Sequence, residues 1–230
     1  AERLFAFFEN KFEEIALAVG AEKRKYPVLL PVDKYQKTGY LKKSPQYAIF
    51  CCNIYENMDE LENLSQSVDR KKIRGHLKEP QYALSPSACF HSYIEFEGKT
   101  LEHNKTISFE QSVFRNEGRF NYGEIGRLQD YHVREIVFFG DEEYVSSQRN
   151  RVMTLTKELL ESFGLCGTIE KAYDPFVIPK FQKLKKIQMA DVSKYEVRLR
   201  VAEDKDISAA SFNLHGAAFT YPFDIQIVGC

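Results

Sequence analysis

Residues 113–140 read VFRNEGRFNYGEIGRLQDYHVREIVFFG. Two runs rich in aromatic and β-branched residues flank a polar loop with glycines, and this pattern predicts a long antiparallel hairpin. Because side chains alternate along a strand, Val113, Arg115 and Glu117 should share one face of the first strand. The odd-numbered residues from Tyr131 to Phe139 should share one face of the second strand, and the even-numbered residues the other. Each strand therefore combines a carboxylate with groups suited to holding a polar ligand.

The composition allows one domain with a sizeable core. The chain has 230 residues, of which 43% are hydrophobic and 13% aromatic, and this excludes disorder on compositional grounds. Lys and Arg number 32 and Asp and Glu 33, which argues against a nucleic-acid binder with a broad basic surface. No apolar run approaches the roughly 18 to 20 residues that cross a bilayer. We therefore expect no membrane partner.

The cysteines indicate a reducing compartment. The five cysteines, at positions 51, 52, 89, 166 and 230, are odd in number and dispersed, and no secretory signal opens the sequence. This usage favours free thiols or metal ligands in the cytoplasm. Taken alone, Cys89 is more often a small buried hydrophobe than a ligand.

The remaining pattern favours few helices and many strands. An apolar stripe over residues 1–19 predicts a helix that ends at Gly20, and a second long helix should begin at Asp141 and end at Gly164. The prolines of residues 26–31 suit an edge strand, and Asp33 is expected to cap a short helix. Further strands are predicted at 47–55, 93–96, 106–114, 194–201, 209–214 and 223–228, a helix at 58–68, and a basic solvated loop at 70–74. We expect an α+β fold with a mainly antiparallel sheet, in one domain over residues 1–230.

Several nucleotide-binding and catalytic motifs are absent from the sequence. It contains no GxxxxGK[ST], no strand-linked GxGxxG, no HExxH, no GxSxG and no CxxC. A nucleotide would therefore be held by side chains, and arginine suits this purpose because it is always charged and binds phosphate or carboxylate oxygens in pairs. The hairpin supplies Arg115, Arg119, Arg127 and Arg134.

The spacing of charged and aromatic residues in the hairpin resembles motif 2 of class II aminoacyl-tRNA synthetases: FRxE at 114–117, an arginine at 127 and YxxRE at 131–135. It resembles more closely the zinc-dependent seryl-tRNA synthetase homologues that act as amino acid:[carrier protein] ligases. Four further blocks match in order: YPVLLPVDKYQKTGYL (26–41), LSPSACF (84–90), AYDPF (172–176) and SFNLH (211–215). The resemblance implies a class II synthetase-like antiparallel sheet flanked by helices.

The resemblance also implies a role for each site residue. Arg115 is similar to the arginine that contacts the ATP α-phosphate and the substrate carboxylate, and Glu117 to the carboxylate near the adenine amino group. Tyr131 takes the place of the aromatic residue that stacks on adenine, and Arg127 lies in the ATP-binding loop. ATP would be accompanied by Mg²⁺.

An active-site zinc is implied in the same way. Cys89 and Glu135 resemble two of its ligands, and Cys230 is the candidate for the third. Three protein ligands leave a fourth position open, as in catalytic zinc sites, and in this family it receives the α-amino group. Asn213 and His215 lie in the block that closes the amino-acid pocket.

The activity implied is ATP-dependent formation of an aminoacyl-adenylate from a small amino acid, followed by transfer to the phosphopantetheine thiol of a carrier protein. A homodimer is implied by the motif 1 region, and tRNA is not an expected partner, because about one helix precedes that region. The family's third motif, a glycine-rich strand and helix with an arginine, has no counterpart within residues 1–230, so adenylation is conditional on it. The alternatives are a zinc-dependent seryl-tRNA synthetase fragment and a non-catalytic homologue that binds zinc and an amino acid.

Plainer interpretations exist for the same residues. Arg115 and Glu117 could form a surface ion pair of little energetic value. Glu135 is less easily explained in this way, because it lies between Val133 and Val137 on one strand face. A carboxylate buried there needs a metal or a cationic partner.

Overall fold

The structure is a computed structural model that describes residues 1–66, 69–117, 126–174 and 176–228. The helices of this part are α1 (Glu2–Ala18), α2 (Val32–Lys37), α3 (Tyr40–Lys43), α4 (Met58–Gln66), α5 (Arg70–Gly75), α6 (Phe90–Glu95), α7 (Glu142–Ser162) and α8 (Lys183–Ala190). The strands are β1 (Glu22–Lys23), β2 (Leu29–Pro31), β3 (Ile49–Cys51), β4 (Tyr82–Leu84), β5 (Thr100–Leu101), β6 (Lys105–Phe114), β7 (Asp130–Phe139), β8 (Gly167–Lys171), β9 (Lys194–Ala202), β10 (Lys205–Asn213) and β11 (Gln226–Ile227).

Strands β6 and β7 form the predicted antiparallel hairpin. Their pairing runs without interruption from Lys105 opposite Phe139 to Phe114 opposite Asp130. The connecting residues 118–125 lie outside the described part, and Arg119 lies among them. Ten paired positions on each strand make this hairpin the longest ladder of the described fold.

The sheets are mainly antiparallel, which confirms the predicted α+β class. Three-stranded sheets have the orders β1-β6-β7, β2-β4-β3 and β8-β9-β10, and β5 pairs with β11. Only β1 with β6 and β5 with β11 are parallel among the described pairs. The proline-bounded β2 lies at an edge, as predicted.

The two faces of the hairpin pack into two different apolar clusters. Val137 and Phe139 join a cluster that includes the buried Ile107, Phe109 and Phe90. The alternating residues Ile136 and Phe138 pack against a second cluster, which contains Ile15, Val19, Val152, Val197 and Phe212. The alternation predicted from the sequence therefore separates the side chains that pack into one core from those that pack into the other.

Helices α1 and α7 begin and end where the sequence predicts. The Asp141 side chain accepts a hydrogen bond from the Tyr144 backbone N–H at 2.7 Å and caps α7. Gly20 and Gly164 follow the two helices with φ of 75° and 63°. That left-handed region is readily accessible to glycine, which explains the stop at both positions.

Some local predictions are wrong. Residues 93–96 belong largely to α6 rather than to a strand, because Phe90, Tyr93 and Phe96 recur every three residues and bury one helical face. Residues 70–74 lie in α5, where the Asp69 carboxylate accepts from the backbone N–H groups of Lys71 and Lys72 at 2.8 and 2.9 Å.

Other boundaries also differ from the sequence prediction. Asp33 lies in the first turn of α2, which follows Pro31 without a side-chain cap. The predicted strands over 47–55 and 223–228 shrink to β3 and β11, and β8 was not predicted. In the described part of the chain, no helix has the length and apolar character needed to cross a membrane.

Candidate functional site

Arg115 is held at the end of β6 by two hydrogen bonds. Its backbone N–H donates to the Gln129 carbonyl at 2.9 Å, and its Nε donates to the Pro86 carbonyl at 2.8 Å. Pro86 belongs to the loop between β4 and α6. Arg115 therefore joins the hairpin to the loop that carries Cys89.

Aromatic rings surround the Arg115 guanidinium. Its central carbon lies 5.8 Å from the ring centroid of Tyr47 and 5.7 Å from that of Tyr131, within the range of cation–π attraction. Burial lowers the pKa of Arg115, but the neighbouring Tyr40, Tyr131 and Glu117 outweigh it and leave the pKa raised. Arg115 is thus a permanent cation inside a partly enclosed aromatic site.

Glu117 lies close to the same group. It is only 8% exposed, and its charge acts on Arg115, Tyr47 and Tyr131. This position excludes the plainer interpretation of a solvated surface pair. Arg127 is exposed just before β7, and its charge acts on Tyr47.

The charges of Glu135 and Arg115 both act on Cys89, and the charge of Arg115 acts on Glu135. Cys89 precedes α6, its Sγ lies 3.3 Å from Ser87 Oγ, and Glu135 extends from β7. Burial raises the pKa of Glu135 to about 7, partly offset by Arg115, and burial together with Glu135 raises the pKa of Cys89 to about 12. At neutral pH Cys89 is therefore a thiol and Glu135 is divided between its protonated and ionised forms, and a bound cation would favour the ionised form of both.

The pair fits part of a zinc site. Thiolate and carboxylate are donors that zinc binds, and a bound cation stabilises the ionised forms that burial opposes. Within the described ranges no three of the His, Cys, Asp and Glu side chains are grouped to hold a metal. The predicted third ligand, Cys230, lies outside the described residues.

Asp174 follows β8, and hydrogen bonds hold both oxygens of its carboxylate. Asp174 Oδ1 accepts from Lys194 Nζ at 2.6 Å, and Oδ2 accepts from Gln188 Nε2 at 2.9 Å. Burial raises the pKa of Asp174, but Lys194 and Gln188 lower it by more, so the net shift of the pKa is downward. Asp174 is therefore an anion at neutral pH.

His215 follows β10, and the charge of Asp174 acts on it. Its ring lies edge-on to Phe219 with the centroids 4.9 Å apart. More than a third of the residue is accessible to solvent, yet the surrounding protein lowers its pKa to about 4 by desolvation, an effect that Asp174 partly opposes. Asn213 lies at the end of β10, where its Nδ2 donates to Ser211 Oγ at 3.1 Å.

The structure thus brings together Arg115, Glu117, Tyr131, Cys89 and Glu135. Arg134, one of the arginines considered for phosphate binding, is elsewhere: it lies on the other face of β7 and pairs with Glu9 of α1. This separation follows from strand alternation, because Arg134 and Glu135 are consecutive residues.

Three neighbours of the site were missed as site residues from the sequence. Tyr40 feels the charges of both Arg115 and Asp174, and Tyr47 lies beneath Arg115. Tyr40 and Asp174 lie inside blocks that match the resembling family, which was the available signal. Tyr40 follows a glycine and Asp174 follows a strand. Nothing in the sequence around either residue distinguishes it from a surface residue.

The comparisons with known proteins agree with this fold. No protein-family model matches the chain. The chain is 27% identical over 228 residues to the type-2 serine–tRNA ligase of Methanocaldococcus jannaschii, a match that covers 93% of this chain and 44% of the relative. It is 25% identical over 234 residues to amino acid–[acyl-carrier-protein] ligase 1 of Bradyrhizobium diazoefficiens, covering 96% of this chain and 70% of that protein.

Two solved structures share the fold. M. kandleri SerRS, crystallised with A. aeolicus tRNASec, matches with a TM-score of 0.83 at 20% identity over 96% of this chain and 46% of that one. Giardia lamblia prolyl-tRNA synthetase with prolyl-adenylate matches with a TM-score of 0.68 at 14% identity, covering 96% of this chain and 41% of that one. The chain spans about half the length of the type-2 serine–tRNA ligases it matches. The predicted class II synthetase-like fold and the resemblance to amino acid ligases are confirmed.

His215 should remain neutral at pH 7 and gain its proton only near pH 4, because the surrounding protein desolvates the imidazolium ion. Imidazole NMR signals followed from pH 3.5 to 8 test this, with the signal assigned by its loss in His215→Gln. The matched control is His103→Gln, which should leave that signal in place. A His215 midpoint at about 6.5, the ordinary value for histidine, would contradict this desolvation.

Proposed function

We propose that residues 1–230 carry the catalytic site of an ATP-dependent amino acid ligase that forms an aminoacyl-adenylate. The observation that carries the proposal is the position of the Arg115 guanidinium, which lies between Tyr47 and Tyr131 and is fixed through Nε. The two terminal nitrogens can donate a pair of hydrogen bonds to carboxylate or phosphate oxygens. The resemblance to ligases in sequence and to class II synthetases in fold supports the same function.

The first reaction joins the two substrates at Arg115. A carboxylate oxygen of the amino acid attacks the α-phosphorus of ATP, the bond to the β-phosphate oxygen breaks, and pyrophosphate leaves. Arg115 orients the carboxylate and the α-phosphate and neutralises charge that develops between them, while Mg²⁺ accompanies the phosphates. No protein nucleophile is needed for this step.

The adenine and phosphates are assigned to the neighbouring groups. Tyr131 provides an aromatic face for the base, and Glu117 is an acceptor for the adenine amino group. Arg127, which is exposed, is assigned to contacts with the phosphate oxygens of ATP. Asn213 and His215 are assigned to the amino-acid pocket, as the resemblance implies.

We assign Cys89 and Glu135 to a zinc ion, with Cys230 as the third ligand. When bound, zinc supplies an acceptor for the α-amino group of the substrate and so selects amino acids over other carboxylic acids. Cys89 and Glu135 hold the amine end of the pocket beside Arg115. Their burial keeps water away from that end.

The acceptor in the proposed second step is the phosphopantetheine thiol of a carrier protein. Its sulfur attacks the carbonyl carbon of the adenylate, the bond to the phosphate oxygen breaks, and AMP leaves. The likeness to the Bradyrhizobium diazoefficiens ligase supports this acceptor, and the likeness to serine–tRNA ligases makes tRNA the competing one.

A homodimer is proposed through the sheet β2-β4-β3. Leu29 and Tyr82 share one face of this sheet and are 42% and 37% exposed, although both are large apolar or aromatic side chains. A second copy of the chain would cover this face, in keeping with the two-fold contact of the motif 1 region in the resembling family.

Arg115→Ala should lower amino-acid-dependent exchange of pyrophosphate into ATP by at least about a hundredfold, because it removes charge stabilisation worth about 3 kcal/mol. The full-length protein is assayed with a panel of amino acids, and Arg200→Ala, an exposed arginine of β9, is the control. Exchange that survives in Arg115→Ala would refute the role of Arg115. No exchange in the wild type with any amino acid would refute the proposed function.

Elemental analysis should find about one zinc per chain, falling sharply in Cys89→Ala and Glu135→Ala because each removes a ligand. Cys51→Ala, at the end of β3, should keep its zinc. Arg115→Ala should also keep it, which separates metal binding from activation. An unchanged zinc content in both ligand variants would rule out the assignment.

Transfer of a radiolabelled amino acid should occur to a phosphopantetheinylated carrier protein and should be absent with the same carrier lacking the prosthetic thiol. Total tRNA is supplied in a parallel reaction. Labelling of tRNA without labelling of any carrier protein would select the serine–tRNA ligase interpretation instead.

Light scattering should report a dimer for the wild type and a monomer for Leu29→Asp, because a buried carboxylate would oppose the apolar contact. Val177→Asp is the control, since Val177 is 62% exposed outside this sheet. A wild-type monomer, or a Leu29→Asp dimer, would contradict the proposed interface.

A further inference from the structure

The loop between β4 and α6 is held in place by neighbouring segments. The Ser85 backbone N–H donates to the Val28 carbonyl at 3.1 Å, and the Ser85 carbonyl accepts from the Phe114 backbone N–H at 3.0 Å. The next carbonyl, that of Pro86, accepts from Arg115 Nε at 2.8 Å. The backbone of this loop is therefore fixed against the hairpin and against the segment before β2.

Two serine side chains extend this order from the loop to the sulfur of Cys89. The fully buried Ser85 donates through its Oγ to the Ser87 carbonyl at 2.8 Å. Ser87 Oγ in turn lies 3.3 Å from Cys89 Sγ, which is a hydrogen-bond distance for a sulfur atom. The Ser87 hydroxyl is thus presented to the sulfur by a backbone whose position is fixed.

A bound zinc ion would fix the direction of the hydrogen bond between Ser87 and Cys89. Zinc binds cysteine as a thiolate, which carries no proton and therefore can only accept a hydrogen bond. A serine hydroxyl has one proton to donate. In the zinc-bound protein the donor is therefore Ser87 Oγ and the acceptor is Cys89 Sγ.

A second serine near Cys89 makes a different contact. Ser92 Oγ donates to the backbone carbonyl of Cys89 at 2.6 Å. This is the common contact of a helical serine with the preceding turn, and it leaves the sulfur untouched. The chain therefore contains one serine that contacts the sulfur of Cys89 and another that contacts only its backbone.

Resting on the zinc site of the proposed function, we propose that Ser87 is a positioning residue for the metal: its hydroxyl donates to the Cys89 thiolate and orients the sulfur towards the zinc. A buried anion is costly unless hydrogen bonds or opposite charge offset its lost hydration, and Ser87 supplies such a bond. Outer partners of metal ligands fix the orientation of those ligands, and their loss weakens metal binding. Ser87 thereby supports the end of the pocket assigned to the substrate amine.

The test is competition for zinc between the full-length protein and a chelator of known zinc affinity. Ser87→Ala should lower the zinc affinity about ten- to a hundredfold, the range typical of a lost outer partner. Ser87→Thr keeps a hydroxyl and should retain most of the wild-type affinity. Ser92→Ala is the matched control and should leave the affinity unchanged, because it removes a hydroxyl from the Cys89 carbonyl and not from the sulfur.

Cobalt(II) in place of zinc gives a readout that a purely structural role of Ser87 would not move. Cobalt bound to thiolate has a charge-transfer absorption band, and a hydrogen bond to the sulfur raises its energy by stabilising the sulfur lone pairs. Ser87→Ala should shift this band to longer wavelength. Ser87→Thr and Ser92→Ala should leave it at the wild-type position, and thermal denaturation verifies that each variant is folded.

The outcomes separate this inference from the proposed function. An unchanged zinc affinity and cobalt band in Ser87→Ala, or an equal loss of affinity in Ser87→Thr or Ser92→Ala, would overturn the role of Ser87 and leave the zinc assignment standing. A wild-type protein that binds neither zinc nor cobalt would overturn both. Pyrophosphate exchange by the wild type measures the ligase activity separately in either case.

Discussion

The hydrogen bond from Arg115 Nε to the Pro86 carbonyl ties together the two segments on which the site depends. One is the hairpin, which supplies Tyr131 and Glu135. The other is the loop before α6, which supplies Cys89. A buried guanidinium needs its donors satisfied, because an unpaired buried charge is costly. The hydrogen bond from Nε to a carbonyl of the second segment fixes the position of the cation. It also fixes the spacing between the hairpin and the loop.

The arrangement of charge in the cleft follows from that cation. Burial raises the pKa of both Cys89 and Glu135, which opposes their ionised forms, and a bound cation would favour those forms. Asp174 stays anionic because Lys194 and Gln188 stabilise its charge. A permanent cation beside a pair of zinc-binding side chains matches the carboxylate and the amine of the proposed amino acid substrate. This match connects the fold to the proposed adenylation chemistry.

Much of the frame could be predicted from the sequence because it rests on local rules. Strand alternation assigned Ile136 and Phe138 to one side and Val137 and Phe139 to the other, and the two cores confirm this. Asp141 and Gly164 marked the ends of α7 because capping and positive φ depend on a single residue. The segment 93–96 failed because its aromatic residues fit a short strand or one face of a helix, and contacts with the core decide between them. Asp174 could not be recognised as a fixed carboxylate, since its partner Lys194 lies 20 residues away and only the fold brings them together.

The most direct test of the central claim is a crystal structure of the full-length protein with a stable aminoacyl-sulfamoyl adenosine, which mimics the adenylate. The account predicts that the sulfamoyl and carbonyl oxygens lie within hydrogen-bond distance of Arg115, with adenine on Tyr131 and the amine towards Cys89 and Glu135. Arg115 should keep its bond to Pro86 in the complex. An analogue bound away from Arg115, or bound there with its amine turned away from Cys89 and Glu135, would contradict the account.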